Sequence, residues 1–118
     1  MIQKPATKAE LAKCIDHTLL NPTATEQHIR QLCAEAIQYG FYSVCVMPRW
    51  VELCADILHE TGVKVCTVTG FPMGADYSRV KAFQADLAIA AGADEIDMVA
   101  DLAAIISGDE KYLLNDIR

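Results

Sequence analysis

Three glycines, Gly40, Gly62 and Gly92, each stand between a segment with helical spacing and a short β-branched run. This recurrence constrains the fold more than any other feature of the chain. In "TEQHIRQLCAEAIQY" (25–39), Ile29, Leu32, Cys33, Ala36 and Ile37 fall on one helical face, with Thr25 as cap and Gly40 as stop. "FYSVCVM" (41–47) then reads as a strand halted by Pro48. "RWVELCADILHET" (49–61) reads as a helix with Trp50, Leu53, Cys54 and Ile57 on one side and Gly62 closing it, followed by the strand "VKVCTVT" (63–69). "SRVKAFQADLAIAA" (78–91), capped by Ser78 and ended by Gly92, leads into the strand "DEIDMV" (94–99). Upstream, "TKAELAKC" (7–14) predicts a short helix and "CIDHTLLN" (14–21) the first strand. Downstream, "LAAIIS" (102–107) predicts a short helix, and "DEKYLLNDIR" (109–118) another with acids in its first turn.

Strands alternating with helices imply right-handed βαβ units and a parallel sheet. The fold class is therefore α/β, with four parallel strands. Two architectures are compatible with it: a small doubly wound sheet, or the first half of a (β/α)8 TIM barrel, which takes roughly 250 residues when whole. Both gather chemistry at the carboxyl ends of the strands, here 18–21, 45–49, 67–74 and 97–101. No linker divides residues 1–118, which read as one domain.

Composition excludes several classes of function. The net charge is -6, with few and scattered Lys and Arg, so neither a nucleic-acid footprint nor a membrane-surface patch is expected. No apolar run approaches the ~20 residues of a membrane span, and the N-terminus lacks the apolar core of a signal peptide. Five cysteines (14, 33, 45, 54 and 66) contain no C-x-x-C pair. Core thiols in a reduced, cytoplasmic protein are expected, not a disulfide framework or zinc site. Neither a Gly-rich dinucleotide motif nor a Walker motif is present. His28 and His59 fall on helices and read as surface residues.

The carboxylates of "ADEIDMVAD" (93–101) raise the question of chemistry. Glu95 and Asp97 share one face of a strand. They are either solvated on an exposed edge or, in a barrel, directed at a polar centre where an acid can move protons. Asp97, near the carboxyl end, is the stronger candidate. Asp94 leads into the strand, and Asp101 suits the cap of the next helix. Asp16 lies between Ile15 and Leu19-Leu20, where a carboxylate must be paired or hydrogen-bonded. It shares a face with Thr18, and Asn21 begins the exit loop. Cys45 sits mid-strand; as a nucleophile it would need a base nearby, and the alternative is a buried core thiol. "TVTGFPMG" offers backbone amides at a strand end, either for a phosphate or as a plain loop.

Together "IDHTLLNPTAT", "FYSVCVMPRWV", "KVCTVTGFPMG" and "AGADEIDMVADLAAIISGD" resemble the deoxyribose-phosphate aldolase family, in its order and at its spacing. The resemblance runs from Leu11 to Arg118. It implies a (β/α)8 barrel and a class I aldolase that reversibly joins acetaldehyde to D-glyceraldehyde 3-phosphate through a lysine Schiff base, with no metal or organic cofactor. It further implies that Asp97 is the proton-shuttling aspartate and that Asp16 orders the active-site charges. Thr18, Asn21 and Cys45 would line the substrate pocket.

The same resemblance exposes a gap. The family's Schiff-base lysine lies on the sixth strand in a Lys-Thr-Ser-Thr-Gly context. None of Lys4, Lys8, Lys13, Lys64, Lys81 and Lys111 has that context. The expectation is an N-terminal half barrel, inactive alone as an aldolase, whose parent acts on a phosphorylated sugar aldehyde. Its partner would be a second copy or a complementary C-terminal half, since the first and fourth strands leave open edges. A self-associating module without catalysis is the alternative. A flavodoxin-like binding protein is disfavoured, because "LNPTATEQ" has no glycine for a phosphate loop.

Overall fold

The computed structural model describes residues 3–118. Its strands are β1 (Asp16–Leu19), β2 (Ser43–Val46), β3 (Lys64–Thr69) and β4 (Glu95–Met98). Its helices are α1 (Lys8–Ala12), α2 (Glu26–Tyr39), α3 (Val51–Leu58), α4 (Ser78–Ala90), α5 (Leu102–Ser107) and α6 (Glu110–Ile117). The four strands form one sheet in the order β1-β2-β3-β4, and every pairing is parallel. That order separates the two candidate architectures. A doubly wound sheet reverses its direction of growth at a switch point. Sequential order with right-handed crossovers keeps every crossover helix on one face, as in one half of a barrel.

The burial pattern follows. Val44, Val46 and Val65 pack against Ile29, Cys33, Val51 and Cys54 of α2 and α3. Fully burying a side chain such as Ile29 contributes roughly 1.5–3 kcal/mol, so this outer face is where the helices are held. The intervening strand residues Cys45, Cys66 and Val68 form a smaller cluster on the opposite, inner face, with Leu20 and Met47 against it.

All elements are present where the sequence pattern places them, with shorter strands. Gly40 caps α2 in the left-handed conformation (φ 67°), its N–H bonding the Ala36 carbonyl. Thr25 precedes α2 as its cap, and His28 Nδ1 accepts the Thr25 N–H at 3.0 Å. Asp101 caps α5 by accepting the Ala104 N–H. Two expectations are corrected. A 3-10 turn (Pro48–Trp50) precedes α3, which ends at Leu58 and not at Gly62. There Glu60 takes a positive φ, and Thr61 Oγ1 donates to the Leu58 carbonyl, so side-chain turn chemistry stops the helix early. Tyr77, not Ser78, stands at the cap position of α4; the Ser78 hydroxyl instead donates to Asp116 Oδ1 at 2.7 Å.

Asp116 belongs to the one fully buried ion pair among the described residues. Lys81 Nζ donates to Asp116 Oδ2 (2.6 Å), the Gly74 carbonyl (2.8 Å) and the Val99 carbonyl (3.0 Å). All three ammonium protons are thereby satisfied. One side chain thus ties the β3–α4 loop, the exit of β4 and helix α6 together at the carboxyl end of the sheet.

The loop "GFPMG" is built around this lysine. A Cβ added at Gly70 would lie 2.9 Å from the Lys81 side chain, and one at Gly74 would overlap the Ala100 carbonyl oxygen. Gly74 also has φ 69°. Gly74→Ala is therefore expected to cost about 3 kcal/mol, from roughly 1–2 for the left-handed backbone and about 1–3 for the overlap. Urea unfolding followed by circular dichroism reads it; an unchanged midpoint would show that the loop gives way freely.

The ion pair also sets a pH dependence. Burial pushes the Asp116 carboxyl up, but the Lys81 ammonium and the Ser78 hydroxyl outweigh it and hold the group below its ordinary value. A carboxyl lowered in the folded state stabilises the fold fully above its unfolded pKa, about 3.9. That contribution is lost as pH falls through the lower, folded value. Stability should thus fall as pH drops below about 4, and Asp116→Asn should flatten this part of the profile. Equal acid slopes in both proteins would show that the pair does not carry the effect.

Candidate active site

Parallel register fixes which side chains share the inner face. Asp16 pairs with Ser43, Thr18 with Cys45, Cys45 with Cys66, Cys66 with Glu95, and Val68 with Asp97. A residue two positions along a strand returns to the same face. One face therefore carries Asp16 and Thr18 (β1), Ser43 and Cys45 (β2), Cys66 and Val68 (β3), and Glu95 and Asp97 (β4).

Its centre is a cluster from three consecutive strands. Cys45 Sγ, Cys66 Sγ and an Asp97 carboxylate oxygen all lie within 4.8 Å of one another. The thiol residues are buried at 3% and 1% exposure, while Asp97 is exposed. Cys45 is lowered from its ordinary value by the neighbouring Cys66 thiol, against the opposing effects of burial and of the Asp97 and Asp16 charges. Cys66, whose thiol donates to the Thr67 carbonyl at 3.8 Å, is pushed well up, first by the neighbouring Cys45 thiol, then by burial and the Asp97 carboxylate. Glu95, towards the amino end of β4, has a different neighbour: its charge raises the exposed Tyr42 phenol.

The other candidate residues divide. Asp16 is exposed, not embedded in apolar surroundings, and accepts the Ser43 hydroxyl proton at 2.6 Å. The hydrogen bond expected of it is thus present, across the β1–β2 pairing. Thr18 Oγ1 donates to its own strand, at the Asp16 carbonyl. Asn21 Oδ1 accepts from both the amide and the hydroxyl of Thr23, an Asx turn. Thr18 and Asn21 line a groove of about 360 Å³ beside α2, with His28, Gln31 and Glu35. Cys45 and Asp97 come together, Asp16 joins the same face through Ser43, and Asn21 stays with its own turn. Cys66 and Ser43 were not singled out from sequence, yet period-two spacing within "FYSVCVM" already puts Ser43 on the face of Cys45.

The lysines are distributed differently. Lys64 is exposed at the first position of β3, the amino end of the sheet. Lys81 is buried in its ion pair, Lys8 is on α1 and Lys111 on α6.

Comparison with known proteins identifies the family. A family model described as "DeoC/LacD family aldolase" matches residues 11–118. The chain belongs to the DeoC/LacD family of aldolases. It is 50% identical over 111 residues to the deoxyribose-phosphate aldolase of Clostridium perfringens, covering 94% of this chain and 50% of that protein. With deoxyribose-phosphate aldolase 1 of Bacillus licheniformis it shares 50% identity over 109 residues, 92% of this chain and 49% of the relative. Among solved structures, a Coccidioides immitis protein provisionally assigned as a deoxyribose-phosphate aldolase superposes with a TM-score of 0.92 at 36% identity, covering 98% of this chain and 46% of that one. The tetrameric deoxyribose phosphate aldolase of Aeropyrum pernix gives 0.77 at 35%, covering 93% and 50%. The chain spans about half the length of the curated relatives it matches. The structural neighbours are TIM-barrel aldolases, so the four βα units correspond to half of such a barrel.

Proposed function

We propose that residues 1–118 form the N-terminal half barrel of a deoxyribose-phosphate aldolase and supply part of its active site. The observation that carries this is Asp97 at the carboxyl end of β4, on the inner face beside Cys45 and Cys66. In the assembled reaction a lysine amine condenses with acetaldehyde, releasing water and forming a Schiff base. Loss of a proton from its methyl carbon gives an enamine. The enamine carbon bonds to the carbonyl carbon of D-glyceraldehyde 3-phosphate, whose oxygen takes up a proton. Water then releases 2-deoxy-D-ribose 5-phosphate and returns the lysine. Asp97 suits the proton transfers, Asp16 orders charge through Ser43, and Thr18, Asn21 and Cys45 border the substrate. The lysine itself is expected from a C-terminal half, because no lysine of this chain lies at a strand carboxyl end on the inner face. An odd number of cysteines without a C-x-x-C pair supports the reading of a reducing, cytoplasmic setting.

Borohydride trapping tests this. The chain alone should give no adduct with acetaldehyde or deoxyribose phosphate. Mixed with the C-terminal half of the Clostridium perfringens relative, it should restore turnover, with the adduct on the added half. A stable adduct on this chain alone would overturn the reading, as would a mixture of folded halves that associates without turnover.

A second reading, self-association, is favoured by the open edges of β1 and β4 and by exposed apolar residues such as Leu102, Ile106 and Leu114 beyond β4. Sedimentation at micromolar concentration should then give a dimer or larger species; a stable monomer would count against it.

A further inference from the structure

We infer that Cys45, Cys66 and Asp97 form a binding site for a soft divalent metal ion, Zn²⁺ or Cd²⁺. The three donors come from adjacent strands whose parallel pairing fixes them, and all lie within 4.8 Å of one another. In a tetrahedral zinc site with Zn–S near 2.3 Å, neighbouring sulfurs stand about 3.8 Å apart. Closing the cluster onto an ion thus takes side-chain shifts of roughly 1 Å or less, with no movement of the sheet. Two thiolates and one carboxylate match the preference of zinc and cadmium for sulfur, whereas magnesium and calcium prefer oxygen. Binding exchanges two thiol protons for the ion, and the released protons go to solvent. Three protein ligands leave a fourth position for water.

The second thiol pair of the chain provides an internal contrast. Cys33 and Cys54 lie 3.7 Å apart between α2 and α3, both at 0% exposure, within an apolar cluster. Packing accounts for them. The inner pair differs in both respects that matter to an ion: a carboxylate completes the donor set, and that carboxylate is exposed, giving a path from solvent. Val68, Leu20 and Met47 form an apolar wall beside it. None of the three ligands is held in a disulfide or an ion pair among the described residues. The inference stands on this geometry and does not depend on the aldolase reading. Where that reading holds as well, an ion on Asp97 competes with proton transfer, and soft metals inhibit the assembled enzyme.

The test is a titration of the reduced, chelator-treated 118-residue chain, in a Cys14→Ser background, with CdCl2. The readout is the ultraviolet thiolate-to-cadmium charge-transfer band. One equivalent should saturate the band, and ZnCl2 should displace it. Cys66→Val, which keeps an apolar side chain of similar size, should weaken binding at least about a hundredfold, and Asp97→Asn about tenfold. Cys33→Ala should leave the band unchanged. Slow alkylation followed over time by peptide mass spectrometry on the unmutated chain gives a second measurement needing no core substitution: Cys45 and Cys66, buried at 3% and 1% exposure, react only as the fold opens, and saturating zinc should slow them further than it slows the buried Cys33 and Cys54 while leaving Cys14 reactive. Absence of a band, its persistence at full strength in Cys66→Val, or alkylation of Cys45 unaffected by zinc would each overturn the assignment.

Discussion

Lys81→Ala should destabilise the chain by about 3–5 kcal/mol, because it strands a buried carboxylate. Asp116 has a fully buried side chain, and its remaining partner would be the Ser78 hydroxyl. The Gly74 and Val99 carbonyls would lose their charged donor at the same time. Total stability of a domain this size is only about 5–15 kcal/mol, so the loss is large. A companion variant separates the charge effect from the packing effect. Lys81→Met with Asp116→Leu removes both charges while keeping volume, and should recover most of the loss, since replacing a buried pair by apolar groups is often neutral. Urea denaturation followed by circular dichroism measures both. If Lys81→Ala costs under about 1 kcal/mol, as a surface pair would, the clamp does not hold the loop, β4 and α6 together.

Asp97→Asn should have the largest effect on catalysis, and only where the barrel is complete. In an assembly of this chain with the C-terminal half of a relative, kcat/KM should fall by about 10²–10⁴, the usual contribution of a positioned proton-transfer group. Asn keeps the size of the side chain and removes its capacity to carry a proton, and Asp97 is exposed on the inner face, so folding should be unaffected. In the isolated chain, which the proposal expects to have no aldolase turnover, the substitution should change nothing measurable. Retention of full activity by the Asp97→Asn assembly would move the proton-transfer role elsewhere, with Asp16 the next carboxylate to test.

Much of the architecture is legible from local pattern. Helical spacing followed by glycine and a strand-like run places β2, β3 and β4, because periodicity, capping and turn chemistry act within a few residues. One misreading is equally local, since α3 stops at Leu58 because Thr61 takes over the Leu58 carbonyl; the other is long-range, since Ser78 passes over its own helix terminus for Asp116, 38 residues away. Asp97, Asp16 and Cys45 stand out as acids or a thiol inside apolar strands. Cys66 does not, since a thiol amid valines reads as core until register places it opposite Cys45 and near Asp97. Lys81 reads as an ordinary helical lysine because its partner lies 35 residues away.

The amino-acid sequence by itself determined the α/β class, the four strand–helix units, and the family, through motifs whose residue types and order suffice for each. Only the tertiary structure decided which residues meet: the sequential strand order that gathers helices on one face, the Cys45–Cys66–Asp97 cluster, and the buried Lys81–Asp116 pair. The physical reason is range. Helix spacing, capping and strand alternation are settled within a turn or a pleat, whereas strand register and charge burial depend on segments distant in sequence being brought together.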